Sequence, residues 1–253
     1  MNENEKLSES LYDDVPPPPA APTSSRWEDF IDIFYAPSQV FARRMGTGFI
    51  IPMLVVAVLV GLIYVAASGV MQPIMDAEFS RSMAAVAKKN PSLTPEQLEA
   101  GRAIQEKIGK VVIFIITPIV MLIVGVVLWL VGKLVDAKQT VGDAIMVASY
   151  AYFPKVVESL INSVQAMMMD PASLNGRYRL SLGLGRFLDP DTASPLLLGV
   201  LGRIDVFTIW VTILLAIGLS VTGKVSKQKA AIAGVIMWLV GAIPALLGAL
   251  QAR

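Results

Sequence analysis

Cysteine and histidine are both absent from this chain of 253 residues. Without them it cannot form a disulfide, a thiolate or imidazole zinc site, a cysteine nucleophile or a Ser-His-Asp triad. A metal site would need oxygen ligands alone, and we expect neither a metal nor another cofactor. The sequence also lacks a phosphate-binding glycine motif and paired carboxylates at a recognisable catalytic spacing. These absences predict a protein that is not an enzyme.

Charged residues are scarce as well, at 16% of the chain, while hydrophobic residues make up 55%. A soluble domain carries about 25% charged residues. The composition and the mean hydropathy of +0.62 therefore indicate a membrane protein. Since the formal net charge is only +1, there is no electrostatic reason to expect nucleic acid as a partner. The expected partner is the lipid bilayer.

The first 26 residues are acidic and rich in proline, with a run of four prolines at 16–19. Such a segment buries too little apolar surface to offset the entropy of ordering, so we predict a disordered tail over residues 1–26. It is not a signal peptide, because it has no apolar centre. We favour a solvated spacer, and the alternative is a proline-rich docking ligand.

The next stretch, residues 27–45, places apolar side chains at helical spacing opposite acidic ones. Its large apolar residues include Trp27, Phe30, Phe34 and Phe41. An amphipathic segment directly before a membrane span is typical of a helix lying in the headgroup plane. We therefore predict that these four residues form an interfacial face that contacts lipid or a protein partner. The alternative is a soluble helix packed on the domain.

Five apolar segments follow, and each is long enough to cross a hydrocarbon core of about 30 Å. We predict spans over about residues 48–70, 111–132, 141–168, 206–222 and 230–250. The third is the least regular, because Lys155 and Glu158 lie between its uncharged halves. The expected fold is an all-α, polytopic membrane helix bundle with five transmembrane helices, and its membrane domain covers residues 27–253.

The longer connections carry different signals. The tetrapeptide Thr94-Pro95-Glu96-Gln97 predicts a capped helix that continues into the second span. The connection over residues 170–204 is rich in Gly, Asp and Pro, and its sequence assigns no structure. Basic residues lie most densely in the short turns on the side of the N-terminus, which favours an N-terminus inside the cell.

Several stretches, in this order, resemble the Yip family of membrane proteins. They are Asp32–Phe41 before span one, Thr140–Ala144 with Ser149–Pro154 in span three, Leu201–Trp210 with Leu214–Leu219 in span four, and Lys224–Trp238 leading into span five. The resemblance covers about residues 27–250. It implies a five-span integral membrane protein.

Eukaryotic Yip proteins belong to the early secretory pathway and are named for interaction with Rab-type GTPases. The fourth and fifth spans resemble the bacterial branch, whose role is generally unassigned. The resemblance thus implies a bacterial cytoplasmic membrane, and the basic residues of the short turns favour an N-terminus inside. The short tail and the long charged connection after span one depart from the trafficking members, which weakens the expectation of a GTPase partner.

Lys155 and Glu158 form the candidate intramembrane polar pair. They are three residues apart, so they share a helical face and can pair. A charged side chain at bilayer depth costs roughly 2.5–3.5 kcal/mol on insertion scales, so it faces the bundle interior or a watery cavity. The functional interpretation is a polar lining for a proton, an ion or a lipid headgroup. The alternative is a structural pair.

Two functions remain open at this point. The first is a non-enzymatic membrane scaffold or adaptor whose cytoplasmic N-terminal region recruits a protein partner or organises lipid. The second is a small transporter or channel that uses Lys155 and Glu158. Small residues such as Gly125 and Gly132 allow close helix packing, which serves the bundle interior and leaves a homo-oligomer open.

Overall fold

The computed structural model describes residues 25–90, 92 and 94–251. Over these residues the chain consists of α-helices and short 3-10 turns, with one isolated antiparallel bridge between Gly183 and Asp205 and no longer strand. The all-α prediction is confirmed. The tail predicted over residues 1–26 lies outside the described residues, except for Ser25 and Arg26.

Eleven α-helices are present in the described part of the chain. They are α1 (Arg26–Asp32), α2 (Pro37–Arg44), α3 (Ile50–Ala67), α4 (Gln72–Lys89), α5 (Pro95–Leu134), α6 (Val141–Ala151), α7 (Phe153–Met168), α8 (Pro195–Leu201), α9 (Val206–Gly223), α10 (Lys227–Val240) and α11 (Ile243–Gln251).

Five helical stretches are long and apolar enough to cross a membrane. They are Ile50–Ala67, Ile108–Leu134, Val141–Met168, Val206–Gly223 and Lys227–Gly248. Each overlaps one of the five segments that the sequence predicts. The protein is therefore a multi-pass membrane protein with five spans.

The third and fifth spans are each made of two helices. Tyr152 ends α6, and α7 starts at Phe153 with Pro154 in its first turn, where a missing backbone N–H costs no helical hydrogen bond. Similarly, α10 ends before Gly241, and Pro244 is the second residue of α11. Each of these two prolines thus lies in a first turn, where it leaves no carbonyl inside a helix without its hydrogen bond.

The turns between helices define two sides of the bundle. The near side, as we call it, is the side on which α2 ends, the turn joins α5 to α6, and the turn joins α9 to α10. There the Lys138 amide donates to the carbonyl of Gly223 at 3.0 Å, and Lys229 Nζ pairs with Asp136 at 2.7 Å. The far side holds the α3–α4–α5 connections and the α7–α9 connection.

Glycines let the central helices approach closely. A Cβ on Gly125 would lie 2.5 Å from the Cα of Ile145, and a Cβ on Gly218 would lie 2.2 Å from Val147. These two glycines therefore pack α5 and α9 against α6 inside the bundle, as the internal-packing interpretation of Gly125 expects.

The connection over residues 170–204 has a definite structure on the far side. It contains three 3-10 turns, at Pro171–Ser173, Arg177–Leu180 and Leu184–Phe187, before α8. Leu174 and Leu180 are buried with Ile74 of α4. Arg81 of α4 ties the connection down through Asp191 at 2.8 Å and the carbonyl of Asn175 at 2.7 Å.

Candidate functional site

The N-terminal segment forms a pair of short helices that we call the N-terminal hairpin (residues 25–45). A capping box starts α1, because the Ser25 hydroxyl accepts from a backbone N–H and Glu28 accepts from the Ser25 amide at 3.1 Å. α2 starts at Pro37, whose fixed φ suits the first helical position. Four residues (33–36) separate the end of α1 from the start of α2. Because each helix has its own start signal, the segment forms two helices instead of one long one.

Asp29 is the centre of the hairpin and is fully buried. Arg43 Nε lies 2.6 Å from one of its oxygens, and Arg44 pairs with the other. The hydroxyl of Tyr150 on α6 also donates to Asp29, at 3.1 Å. A buried carboxylate is stable only when it is paired and hydrogen-bonded, and here both arginines and a tyrosine satisfy it. This network fastens the hairpin to the bundle.

Asp32 extends the same network to the outer part of the hairpin, where its side chain is 20% exposed. Arg43 pairs with it, and the Tyr35 hydroxyl donates to it at 2.7 Å. The Arg43 hydrogen bond is the main cause that holds the pKa of the Asp32 carboxyl below its usual value, and the Tyr35 hydrogen bond adds to it.

Three of the four large apolar residues singled out in the sequence pack on the bundle. The Phe30 ring stacks on Phe153, with centroids 4.7 Å apart, and Phe34 meets Trp210 edge-on at 5.5 Å. Phe41 is fully buried, whereas Trp27 is 72% exposed and contacts Phe30 within the hairpin. The structure therefore does not leave the four residues as one free face.

These contacts place the hairpin along the sides of the third and fourth spans. Phe153 is 12 residues from the start of α6 at Val141, a helical rise of about 18 Å from the near side. Trp210 is 13 residues before the end of α9 at Gly223, a rise of about 20 Å. Arg44, in contrast, ends α2 on the near side. The hairpin therefore lies along the sides of the spans, and the end of α2 is on the near side, where the Gly46 amide contacts Asp143.

One side of the hairpin faces away from the bundle. It carries Trp27, Ile31 and Tyr35, which are 72%, 63% and 71% exposed. We call these three residues the outer row. Trp27 and Ile31 lie one turn apart on α1, and Tyr35 follows in the turn after α1, where its hydroxyl donates to Asp32.

The link from the hairpin to α3 is held by the start of α6. Gly46 and Gly48 have φ of 76° and 87°, which other residues rarely adopt. The Gly46 amide donates to Asp143 at 2.8 Å, and the Thr140 hydroxyl donates to the same carboxylate at 2.7 Å. This gives a physical role to the Thr140–Ala144 stretch that carries part of the family resemblance.

A second polar region lies on α7, toward the far side. Lys155 and Glu158 form an ion pair, with Nζ and Oε2 2.6 Å apart. Asn162 and Gln165 continue the same face at spacings of four and three residues. The Gln165 side-chain amide donates to the carbonyl of Leu180 at 3.0 Å. The connection over residues 170–204 therefore covers the Gln165 end of this polar face of α7. Sequence reasoning missed Asn162 and Gln165, although their spacing was a usable signal.

A cleft of about 620 Å³ opens beside this polar region. It lies between α5, α9 and the α10–α11 break, and Lys155 and Arg203 both line it. Tyr152 and Thr208 add polar groups near the same end, while Val124, Val127 and Leu215 form apolar walls. We call it the far-side cleft.

Arg203 is a third residue of this region that sequence reasoning did not single out. Its Nη2 donates to the Trp238 carbonyl at 2.7 Å, and the guanidinium lies 5.7 Å from the Trp238 ring centroid. Its Nε is buried without a hydrogen-bond partner, and among the described residues no carboxylate pairs with it. Burial lowers the pKa of Arg203, although a guanidinium remains charged in proteins. The sequence held no signal for this role, since Arg203 is one of several basic residues in a loop.

No group of three or more acidic side chains that could hold a metal ion occurs within residues 25–90, 92 and 94–251. The two regions that gather polar side chains are the N-terminal hairpin and the far-side cleft.

Comparisons with known proteins point to one family. The sequence profile of the Yip1 domain matches residues 31–248, which include all five spans, most of the hairpin and the far-side cleft. Neither the curated proteins nor the solved structures contain a match to this chain.

Proposed function

The chain belongs to the Yip1 domain family, and from that premise we propose that it is a non-enzymatic membrane scaffold or adaptor whose N-terminal region recruits a protein partner. In this proposal the protein resides in a bacterial cytoplasmic membrane with its near side, and so its N-terminus, in the cytoplasm. The lipid bilayer is its other partner.

The observation that supports the proposal is the contrast between the two faces of the hairpin. The inner face is fastened by the buried Asp29, while the outer row keeps Trp27, Ile31 and Tyr35 exposed. Tryptophan and tyrosine are enriched among residues that dominate binding energy. A rigid support lowers the entropic cost of binding, because the exposed side chains are already held in place.

The test is crosslinked purification from membranes followed by mass spectrometry. We compare the full chain, a chain starting at Ser25, which keeps the α1 cap, and Trp27→Ser in the full chain. A stoichiometric protein partner that disappears from either altered chain is the expected result. Phe187→Ser is the matched control, because Phe187 is 78% exposed on the far side. Recovery of the same proteins from all four chains would contradict the proposal.

A second candidate function, a small transporter or channel, is favoured by one observation. The Lys155–Glu158 ion pair lies beside the far-side cleft, and Lys155 lines it. If this function holds, Glu158→Gln abolishes a solute or proton flux in proteoliposomes while the variant still assembles. Unchanged flux in Glu158→Gln, or no flux in the unmodified protein, would exclude it.

A further inference from the structure

The unpartnered polar atoms of the structure gather in one place. Among the described residues, two buried side-chain atoms have no hydrogen-bond partner, Asn162 Oδ1 and Arg203 Nε, whereas Glu158 Oε2 is held by Lys155 Nζ at 2.6 Å. Glu158 and Asn162 lie one turn apart on α7, and Arg203 lines the adjacent cleft. Buried polar groups are nearly always hydrogen-bonded, so a cluster of exceptions requires an explanation. A bound ligand that accepts a hydrogen bond from Arg203 would explain why this donor is left without a partner in the protein.

The charges favour an anion. Lys155 shares its charge with Glu158, but Arg203 has no carboxylate partner among the described residues. An uncompensated guanidinium at the end of a membrane span is costly, and pairing with a phosphate relieves that cost. The planar guanidinium also matches two phosphate oxygens at once, which a lysine cannot do.

The shape favours a lipid. Leu215 lines the inner end of the far-side cleft and is nine residues into α9, a rise of about 13 Å. Arg203 lies just before α9, at the far-side end. The cleft therefore extends from a cationic end at the membrane surface to apolar walls near the middle of the bilayer. Its volume of about 620 Å³ is within the range of about 300–1,000 Å³ that is typical of small-ligand sites.

We propose that the far-side cleft binds one anionic glycerophospholipid from the leaflet opposite the N-terminal hairpin. The phosphate lies on Arg203 with Lys155 beside it, and one acyl chain follows the wall formed by Val124, Val127 and Leu215. Trp238 supports the Arg203 guanidinium from its other face. This site goes beyond the adaptor proposal and does not depend on it, because the outer row lies on a different part of the bundle.

The test is native mass spectrometry of the full chain, titrated in detergent with phosphatidylglycerol or with phosphatidylcholine of the same acyl chains. We expect phosphatidylglycerol to bind about tenfold more tightly, because both lipids carry the phosphate but the choline cation of phosphatidylcholine would lie beside the cations of Arg203 and Lys155. Arg203→Gln removes this preference, and Arg203→Lys keeps part of it. Lys110→Gln is the matched control, because Lys110 is an exposed cation toward the far side that does not line the cleft.

Two further arms identify the ligand. sn-Glycerol 3-phosphate is added as a competitor, and Val124→Phe narrows the apolar end while leaving Arg203 intact. The proposal predicts no competition and weaker lipid binding in Val124→Phe. Equal binding of the two lipids, an unchanged preference in Arg203→Gln, or full competition by glycerol phosphate would overturn it.

Folding of each variant is checked by thermal unfolding in the same detergent. If Arg203→Gln does not fold, Lys155→Gln and Val124→Phe carry the decision, with the same expected losses. Partner recovery through the N-terminal region is measured in parallel, so failure of the lipid site and failure of the adaptor proposal are separate results.

Discussion

The two polar regions of this bundle solve the same problem in opposite ways. In the N-terminal hairpin, the buried Asp29 is paired with two arginines and accepts from Tyr150. In the far-side region, Asn162 and Arg203 each keep a buried atom without a hydrogen bond. A fully satisfied network makes a fold specific and rigid, whereas an unsatisfied one is costly unless a ligand uses it. The difference indicates that the first region holds the structure and the second binds.

The largest effect is expected at the satisfied network. Asp29→Asn leaves Arg43 and Arg44 beside a neutral group, and breaking one side of a buried ion pair costs about 3–5 kcal/mol. We therefore expect a large loss of thermal stability in detergent. Asp136→Asn is the control, because its ion pair with Lys229 is exposed, and it leaves stability unchanged. Equal stability of the two variants would remove the structural role of Asp29.

Removing an aromatic contact of the hairpin is expected to cost less stability than removing the charge of Asp29. Phe30→Ala removes the stacking on Phe153, and because Phe30 is only partly buried we expect about 2 kcal/mol, below the cost of truncating a fully buried phenylalanine. Trp27→Ala, whose side chain is mostly exposed, is the matched comparison and changes stability little. The two are compared by thermal unfolding, and a Trp27 effect as large as that of Phe30 would contradict the assignment of inner and outer faces.

In the far-side region we expect a substitution to leave the stability unchanged or to raise it, in contrast to the losses expected in the hairpin. Asn162→Leu replaces a buried amide whose oxygen has no partner by an apolar side chain of similar size, so stability stays the same or rises by up to about 1 kcal/mol. Ser163→Leu, at a buried position where the hydroxyl is bonded to Ser159, overpacks the bundle and serves as the contrast. A clear destabilisation in Asn162→Leu would show that the Asn162 amide stabilises the fold and would contradict this prediction.

The smallest effect is the part of the pH dependence of stability that comes from Asp32 in the hairpin. The folded-state pKa of Asp32 is lowered, mainly by Arg43. Its contribution to stability is therefore present above its unfolded pKa of about 3.9, and it is lost as the pH falls through the lower folded value. Unfolding curves between neutral pH and acid should show a loss that is smaller in Asp32→Asn. An identical pH profile in both proteins would contradict the assigned role of Arg43.

The sequence predicted the local features well, because they depend on neighbouring residues. The five spans follow from apolar length, and the helix start at Thr94 is confirmed by the reciprocal capping box with Gln97. The Lys155–Glu158 contact follows from their spacing of three.

The features that the sequence did not predict depend on contacts between distant residues. The Asp29–Tyr150 hydrogen bond joins positions 121 apart, so no local pattern could place the hairpin against α6. The connection over residues 170–204 shows no hydrophobic periodicity in its sequence, because short 3-10 turns and extended segments produce none. Its structure is held by the contacts of Arg81 and by the buried leucines. Arg203 became a candidate only when folding brought it to Trp238 and the cleft.

One measurement separates a binding role from a structural one most directly. It is the unfolding temperature of the full chain and of Arg203→Gln, each with and without phosphatidylglycerol. A ligand that binds only the folded state raises this temperature. The account predicts that the lipid raises it in the unmodified protein and not in Arg203→Gln, and that the two agree within about 2 °C without lipid. A lipid-free loss in Arg203→Gln comparable to that of Asp29→Asn, or an undiminished lipid shift, would contradict the division of roles between the two regions.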